Sequence, residues 1–412
     1  MATPVSIESA QQAAPSAGEG AGGVGARQTS RAALLKRLAD VISLPSSRVN
    51  AFEKSVTGDL MIEILQTADP EVRVRVARRL APVSDIPPVI ARLLLRDDIE
   101  TAGPLLAECA ALSDAQLLDC ARHASAAHRR LIATRRTVGD LLCEALIDAG
   151  DIEVIEALLA NPGAKLSHGA IEVLVSLSRS VRRLVPALLR RAELRPNHAY
   201  ALFWWADAPS RRTILQRFAV SREVLQEAAS DVFPMAAEEG WTDPISSKAL
   251  QFIERRQRDR GAIERSAFGS LEEAIEAAER GMTPDLAREI AKLAGVRPMT
   301  AARILADEGG EPMAILAKST GLAKGALASL WRAMRRPDVE PDGQLSPDFE
   351  RVATTFDMIA VERAQTVLRY WNWSLGAAMS PALTEAVDDR VADESANPAR
   401  AAMVAQGPDI AA

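Results

Sequence analysis

Apolar residues recur along this chain at helical spacing, and between Asp69 and Leu215 they do so in one repeated frame. Asp69-Pro70-Glu71-Val72, Asp98-Ile99-Glu100-Thr101 and Asp151-Ile152-Glu153-Val154 each carry an apolar or small pair seven and eight positions past the Asp: Val76-Ala77, Leu105-Leu106 and Leu158-Leu159. Weaker copies start at Ser125, Ser178 and Asp207, with Ile132-Ala133, Val185-Pro186 and Ile214-Leu215 at the same offsets. Successive starts (69, 98, 125, 151, 178, 207) lie 29, 27, 26, 27 and 29 residues apart, a period that fits a small two-helix repeat stacked into a solenoid. In a helix, offsets +3, +7 and +8 project to one face, so each copy predicts a narrow apolar stripe that its neighbours must cover.

The register Asp or Ser is expected to accept hydrogen bonds from the free N–H groups of the first turn, and the Glu two positions on, where present, to favour the positive helix end. A partner helix is expected before each next start, near residues 86–95, 114–123, 138–149, 168–177, 199–206 and 223–229. Two helices lead in. One begins near Ser30, where Ala33, Leu34, Leu35, Leu38 and Val41 hold helical spacing until Leu44-Pro45, and the other spans about 57–67. From about Met235 the period is lost. Asp243-Pro244 and Thr283-Pro284-Asp285 place a capping side chain ahead of a Pro, Gly309-Gly310 and Gly321 separate helices, and residues 337–344 read as a linker. Ser346-Pro347-Asp348 then caps a long helix carrying Val352, Phe356, Ile359, Val367, Leu368 and Trp371, which is expected to dock back onto the bundle. The pattern predicts an all-α chain: a disordered tail over 1–29, a solenoid of short two-helix repeats over 30–234, a C-terminal helical domain over 235–376 and a second disordered tail over 377–412.

Composition agrees with this reading. At 412 residues and 48% hydrophobic the chain has ample core material, and only 4% of residues are aromatic, which favours helix over sheet. A net charge of -6 opposes long-range attraction to nucleic acid unless basic residues gather on one face. Cys109, Cys120 and Cys143 form neither a paired framework nor a C-x-x-C, which suits a reducing compartment. No basic-then-apolar leader is present, and no apolar run reaches the ~18 residues of a membrane helix. The expectation is a soluble cytoplasmic protein without membrane insertion. Gly18-Glu19-Gly20-Ala21-Gly22-Gly23 fits G-x-G-x-x-G in letters, but no strand precedes it and composition explains it better.

The runs His128-Arg129-Arg130-Leu131-Ile132-Ala133 and Leu146-Ile147-Asp148-Ala149-Gly150-Asp151-Ile152-Glu153-Val154-Ile155-Glu156-Ala157-Leu158-Leu159-Ala160-Asn161-Pro162-Gly163-Ala164 resemble the alphaproteobacterial family catalogued as domain of unknown function 2336. The resemblance is most specific over 125–170 and extends over about 30–375. It implies HEAT-type helical repeats and carries no activity with it.

Candidate chemistry is sparse. A metal could draw on Cys109, Cys120, His123, His128 and Cys143, but Cys120 shares a stripe with Leu117 and Ala121, and His128 holds the +3 position beside Ile132, so core packing explains them. There is no G-x-S-x-G, G-x-x-x-x-G-K-[ST] or H-E-x-x-H, and His123, His128, His168 and His198 share no motif. No cofactor and no catalysis are expected. The stretch from Leu316 to Leu327 has the small residue, turn Gly and apolar offsets of a helix-turn-helix, but Lys324, Ser329 and Arg332 are a thin supply for reading bases and phosphates. Arg129-Arg130, Arg182-Arg183 and Arg211-Arg212 fall at +4 and +5, so Arg130, Arg183 and Arg212 are the candidate partner-binding residues, a ridge for a protein or acidic peptide. Val74, Gly103 and Glu156 interrupt that series. A non-enzymatic scaffold is the expected function, with DNA binding by the hairpin at 313–332 as the alternative.

Overall fold

The apolar stripes become short helices whose ends fall close to the Asp, Pro and Gly signals. The computed structural model describes residues 20–45, 47–220 and 261–374. By packing, the chain divides into two compact units, Met1–Ala170 and Ile171–Ala412. This division falls inside the helix at 168–177. The boundary expected near 235, the helix at 223–229, the Asp243 cap and the tail beyond 376 lie outside the described residues.

The first unit contains α1 (Gly20–Ile42), α2 (Ala51–Leu65), α3 (Pro70–Leu80), α4 (Pro88–Leu95), α5 (Ile99–Glu108), α6 (Asp114–His123), α7 (Ala126–Ala133), α8 (Asp140–Asp148) and α9 (Ile152–Ala160); α10 (His168–Leu177) follows. Register helices pack on register helices, α3 on α5, α5 on α7 and α7 on α9, while α2, α4, α6 and α8 stack in the same way. Two layers of a solenoid-like stack result. The stripe is what joins them: Val76, Ala77, Leu105, Leu106, Ile132, Ala133, Leu158 and Leu159 are all buried. Each larger side chain among them contributes about 1.5–3 kcal/mol of burial. Among the described residues there is no strand, only the isolated bridges Val138 with Ala164 and Val339 with Leu345.

Two starts in the first unit differ from expectation. α1 already includes the first described residues, from Gly20, and so covers part of the stretch assigned to the tail; it is anchored by Leu35, Ala39 and Ile42, and tertiary burial there overrides the poor helix propensity of Gly20, Gly22, Gly23 and Gly25, which apolar periodicity does not register. α2 begins at Ala51, ahead of the expected 57, because Asn50 and Glu53 close a reciprocal capping box at 2.8 and 2.9 Å.

The second unit contains a 3-10 turn (Arg182–Leu184), α11 (Val185–Leu188), α12 (Pro196–Leu202), α13 (Ala208–Arg217), α14 (Leu271–Arg280), α15 (Pro284–Leu293), α16 (Pro298–Ala306), α17 (Glu311–Thr320), α18 (Lys324–Ala333), α19 (Pro347–Met358) and α20 (Val361–Ser374). Asp207, Thr283 and Ser346 cap their helices as expected, accepting from the N–H of Ser210, Leu286 and Phe349. The single long helix expected after Ser346 is two helices, since Ile359 takes an extended conformation and is itself buried. Both pack on α17, which is buried almost all round. Tyr200, Phe203 and Trp204 meet Tyr370 and Trp371 in one aromatic cluster, fixed by a bond from Trp371 Nε1 to the Tyr200 carbonyl at 3.2 Å.

Candidate functional site

Arg130, Arg183 and Arg212 are all exposed. Arg130 is the fifth residue of α7, in the first unit, and Arg212 the fifth of α13, in the second. Arg183, also in the second unit, lies in the 3-10 turn, so it does not share their helical phase. The reason is Ser178, which starts no helix. It is buried at the end of α10, donates to the Val175 carbonyl at 2.6 Å and accepts the Trp205 indole N–H at 2.9 Å.

The neighbouring +4 arginines do more than sequence reasoning assigned to them. Arg73 binds Asp97 and donates to the Ala68 carbonyl at 2.7 Å. Arg129 repeats the arrangement, pairing with Asp151 at 2.6 Å and donating to the Ala124 carbonyl. Each guanidinium thus ties the chain just before its own helix to an acid at the start of the next register helix: Asp151, the N-cap itself, for Arg129, and Asp97, one residue ahead of the N-cap Asp98, for Arg73. Burial works to raise the Asp97 carboxyl, but Arg73 and the Asp98 N–H more than offset it and hold it below the usual carboxylate range. The helix starts therefore work differently from expectation: Asp69, Asp98, Ser125 and Asp151 occupy the N-cap position but make no side-chain cap bond. Arg211, the +4 residue of the last copy, donates to the Phe203 carbonyl at 3.1 Å and finds its acids in Asp307 and Glu311, each at 2.7 Å.

A second recurring role lies at +10. Arg135 donates to the carbonyls of Leu106 and Cys109, Asn161 to those of Ala133 and Arg135, and Arg217 to those of Leu189 and Arg191. In each case one copy satisfies carbonyls left over at the end of the preceding register helix or just past it. The Arg, Asn and Arg at this offset were a signal in the sequence, but their shared task becomes visible only when helix ends are placed.

The first unit also holds a groove of about 970 Å³, lined by Pro70 and Val74 of α3, Leu95 to Thr101 at the start of α5, Asp119, Cys120 and His123 of α6, and Ser125 and His128 at the start of α7. Its ionisable lining is mainly acidic: Asp97, Asp98, Glu100 and Asp119 against Arg96, with His123 and His128. His128 is a buried structural residue, its Nδ1 bonded to Ser125 Oγ at 2.8 Å and its Nε2 to the Asp97 carbonyl at 3.1 Å. The three thiols are buried, and Cys109, Cys120 and Cys143 point to the carbonyls of Val83, Leu95 and Val138. Burial pushes the Cys120 thiol up to about 11.

A further pair of potential metal donors lies in the second unit. Glu172 of α10 and His198 of α12 bring donor atoms within 4.8 Å of each other. His168 stands one turn before Glu172 on α10.

A family model described as an uncharacterised protein conserved in bacteria, DUF2336, matches residues 101–369. No curated protein and no solved structure matches the chain.

Proposed function

The chain belongs to the bacterial DUF2336 family, and we propose that it is a non-enzymatic, HEAT-like scaffold that binds a protein partner. One observation carries this reading: Arg73, Arg129 and Arg211 at +4 and Arg135, Asn161 and Arg217 at +10 join neighbouring chain segments, whereas the +5 side chains of α7 and α13, Arg130 and Arg212, are exposed. Within each unit, packing held together by internal bonds presents the remaining residues on a fixed surface. A guanidinium on such a surface forks onto carboxylates, so Arg130, Arg183 and Arg212 favour an acidic protein segment. Three buried thiols without a disulfide fit a reducing cytoplasm. Among the described residues no helix is long and apolar enough to cross a membrane.

The helix-turn-helix alternative loses support from its own side chains. The hairpin of α17 and α18 turns at Gly321, whose φ of +83° suits the tight crossing. Lys324, however, pairs with Asp357, and Arg332 is held between Glu279 and Asp338. Leu327, Leu330 and Trp331 face the core.

The test is a comparison of partners cross-linked to the full chain and to an Arg130→Glu, Arg183→Glu, Arg212→Glu variant in the native cell. Loss of a partner that the wild type retains supports the arginine surface. An unchanged partner set removes it.

A further inference from the structure

We propose that the groove in the first unit receives a lysine- or arginine-bearing segment of a partner protein. This inference rests on the scaffold reading and names a second chemistry for it, opposite in sign to that of the exposed arginines.

The groove is lined by both apolar and acidic residues. Leu95 is buried, Val74 and Ile99 are half-buried, and all three line the cavity together with Pro70. The acids divide into two sets. Asp97 is neutralised by Arg73, and Asp119 is met by Arg96 at 3.3 Å and by His123 Nδ1 at 3.3 Å. Asp98 and Glu100 are exposed and make no ion pair among the described residues. Asp98 also makes no cap bond with its own helix, so its carboxylate is not committed locally. A long basic side chain fits this division: its methylene stem covers Val74 and Ile99 while its charged head reaches the exposed carboxylates of Asp98 and Glu100. An acidic segment would instead meet Asp98 and Glu100 with like charge. A wholly apolar segment would bury these carboxylates without compensation. Charge complementarity therefore selects the basic occupant.

The experiment measures binding of fluorescein-labelled peptides to the full chain by anisotropy, using one Lys/Arg-alternating peptide and one of the same length with Gln at the basic positions. The proteins are wild type and the Asp98→Asn, Glu100→Gln double variant, whose substitutions remove charge without altering shape. Unchanged thermal unfolding of the variant establishes that its fold is retained. The expected result is salt-dependent binding of the basic peptide to wild type, a loss of roughly tenfold in the variant, and no binding of the neutral peptide. Equal binding by wild type and variant, or equal binding of the two peptides, overturns the groove. Cross-linking the same two proteins in the native cell separates this failure from that of the scaffold reading. Partners kept by both proteins, with no charge-dependent peptide binding, leave the scaffold standing and remove the groove. No specific partner on either protein removes both.

Discussion

Arg211 reaches across 96 residues of sequence to hold Asp307 through two bonds of 2.7 Å, and its Nη1 also donates to Glu311 at 2.7 Å. Arg73 and Arg129, at the same offset in two earlier copies, take their acids from Asp97, one residue ahead of the next start, and from Asp151, the next start itself. Arg211, in the last described copy, uses Asp307 in the loop between α16 and α17 instead. Both partners are sequestered, with 8% of the Arg211 side chain and 6% of that of Asp307 exposed. Breaking such a pair from one side leaves a buried charge, so Arg211→Met is expected to lower unfolding free energy by about 3–5 kcal/mol. Adding Asp307→Asn to Arg211→Met should recover part of that loss. Urea titration followed by circular dichroism measures both, and an Arg211→Met loss below about 1 kcal/mol would deny the pair its role.

The same pair sets a direction with pH. Burial raises the Asp307 carboxyl, yet Arg211 and the Gly310 N–H together hold it below its ordinary 3.8. A depressed folded value means that the contribution is complete above the unfolded carboxyl's pKa and is lost as pH falls through the folded one. Stability should therefore be insensitive to this pair from neutral pH to about 5 and decline below about 4. Asp307→Asn should be less stable at pH 7 and lose less on acidification. Parallel acid limbs for the two proteins in urea midpoints would contradict this assignment.

These pairs mark how far the sequence was readable. The Asp151 start, the Leu158-Leu159 stripe and the α6 and α10 spans follow from local helix physics, and the structure places them where the spacing does. Ser178 was misread because its hydroxyl serves Trp205, 27 residues away, a requirement that no local pattern carries. The break at Ile359 has no Gly or Pro to announce it. The +4 arginines stood in plain view at Arg73, Arg129 and Arg211, but beside Arg130 and Arg212 they read as one basic pair. Only the positions of Asp97, Asp151 and Asp307 separate the buried member from the exposed one.

Two glycines with nearly the same backbone should respond very differently to a methyl group. Gly310 has φ +77° and its Cβ would run into the Trp331 ring, whereas Gly321 has φ +83° with nothing within 4 Å. Gly321→Ala meets only the left-handed penalty, about 1 kcal/mol. Gly310→Ala must also displace Trp331, which is packed against Phe349 and donates its indole N–H to the Pro337 carbonyl. A loss of at least about 3 kcal/mol is expected there, read from thermal or urea unfolding. Equal losses at the two positions would show that the Trp331 contact yields freely.

Asn161 tests the +10 role in isolation. Its amide donates to Ala133 and Arg135 at 2.7 Å each, and its carbonyl accepts the Gly163 N–H at 2.9 Å. Asn161→Ala removes all three bonds and should cost about 2–3 kcal/mol. Asn161→Asp keeps the shape but turns a carboxylate oxygen toward two carbonyls, so at pH 7 it should destabilise at least as much. Protonation restores one donor, and the Asp variant should approach wild type as pH falls below about 4. If Asp is tolerated at pH 7, the carbonyls are satisfied by other donors and the +10 role is not general.

The Cys120 thiol offers a check on the packing of α6 that needs no substitution. It is buried, points to the Leu95 carbonyl at 3.8 Å, and is pushed up to about 11, chiefly by burial and further by Asp119. The thiolate is the reactive form, so at pH 8 both access and ionisation oppose alkylation. Cys120 should resist iodoacetamide in the native chain and react promptly in urea, with peptide mass spectrometry identifying the site. Because reaction requires opening, its native rate should track local unfolding of α6 against α4 and α8. Prompt labelling at pH 8 without denaturant would mean that this face of α6 is open, and the groove that Cys120 lines would then lack the fixed wall it needs.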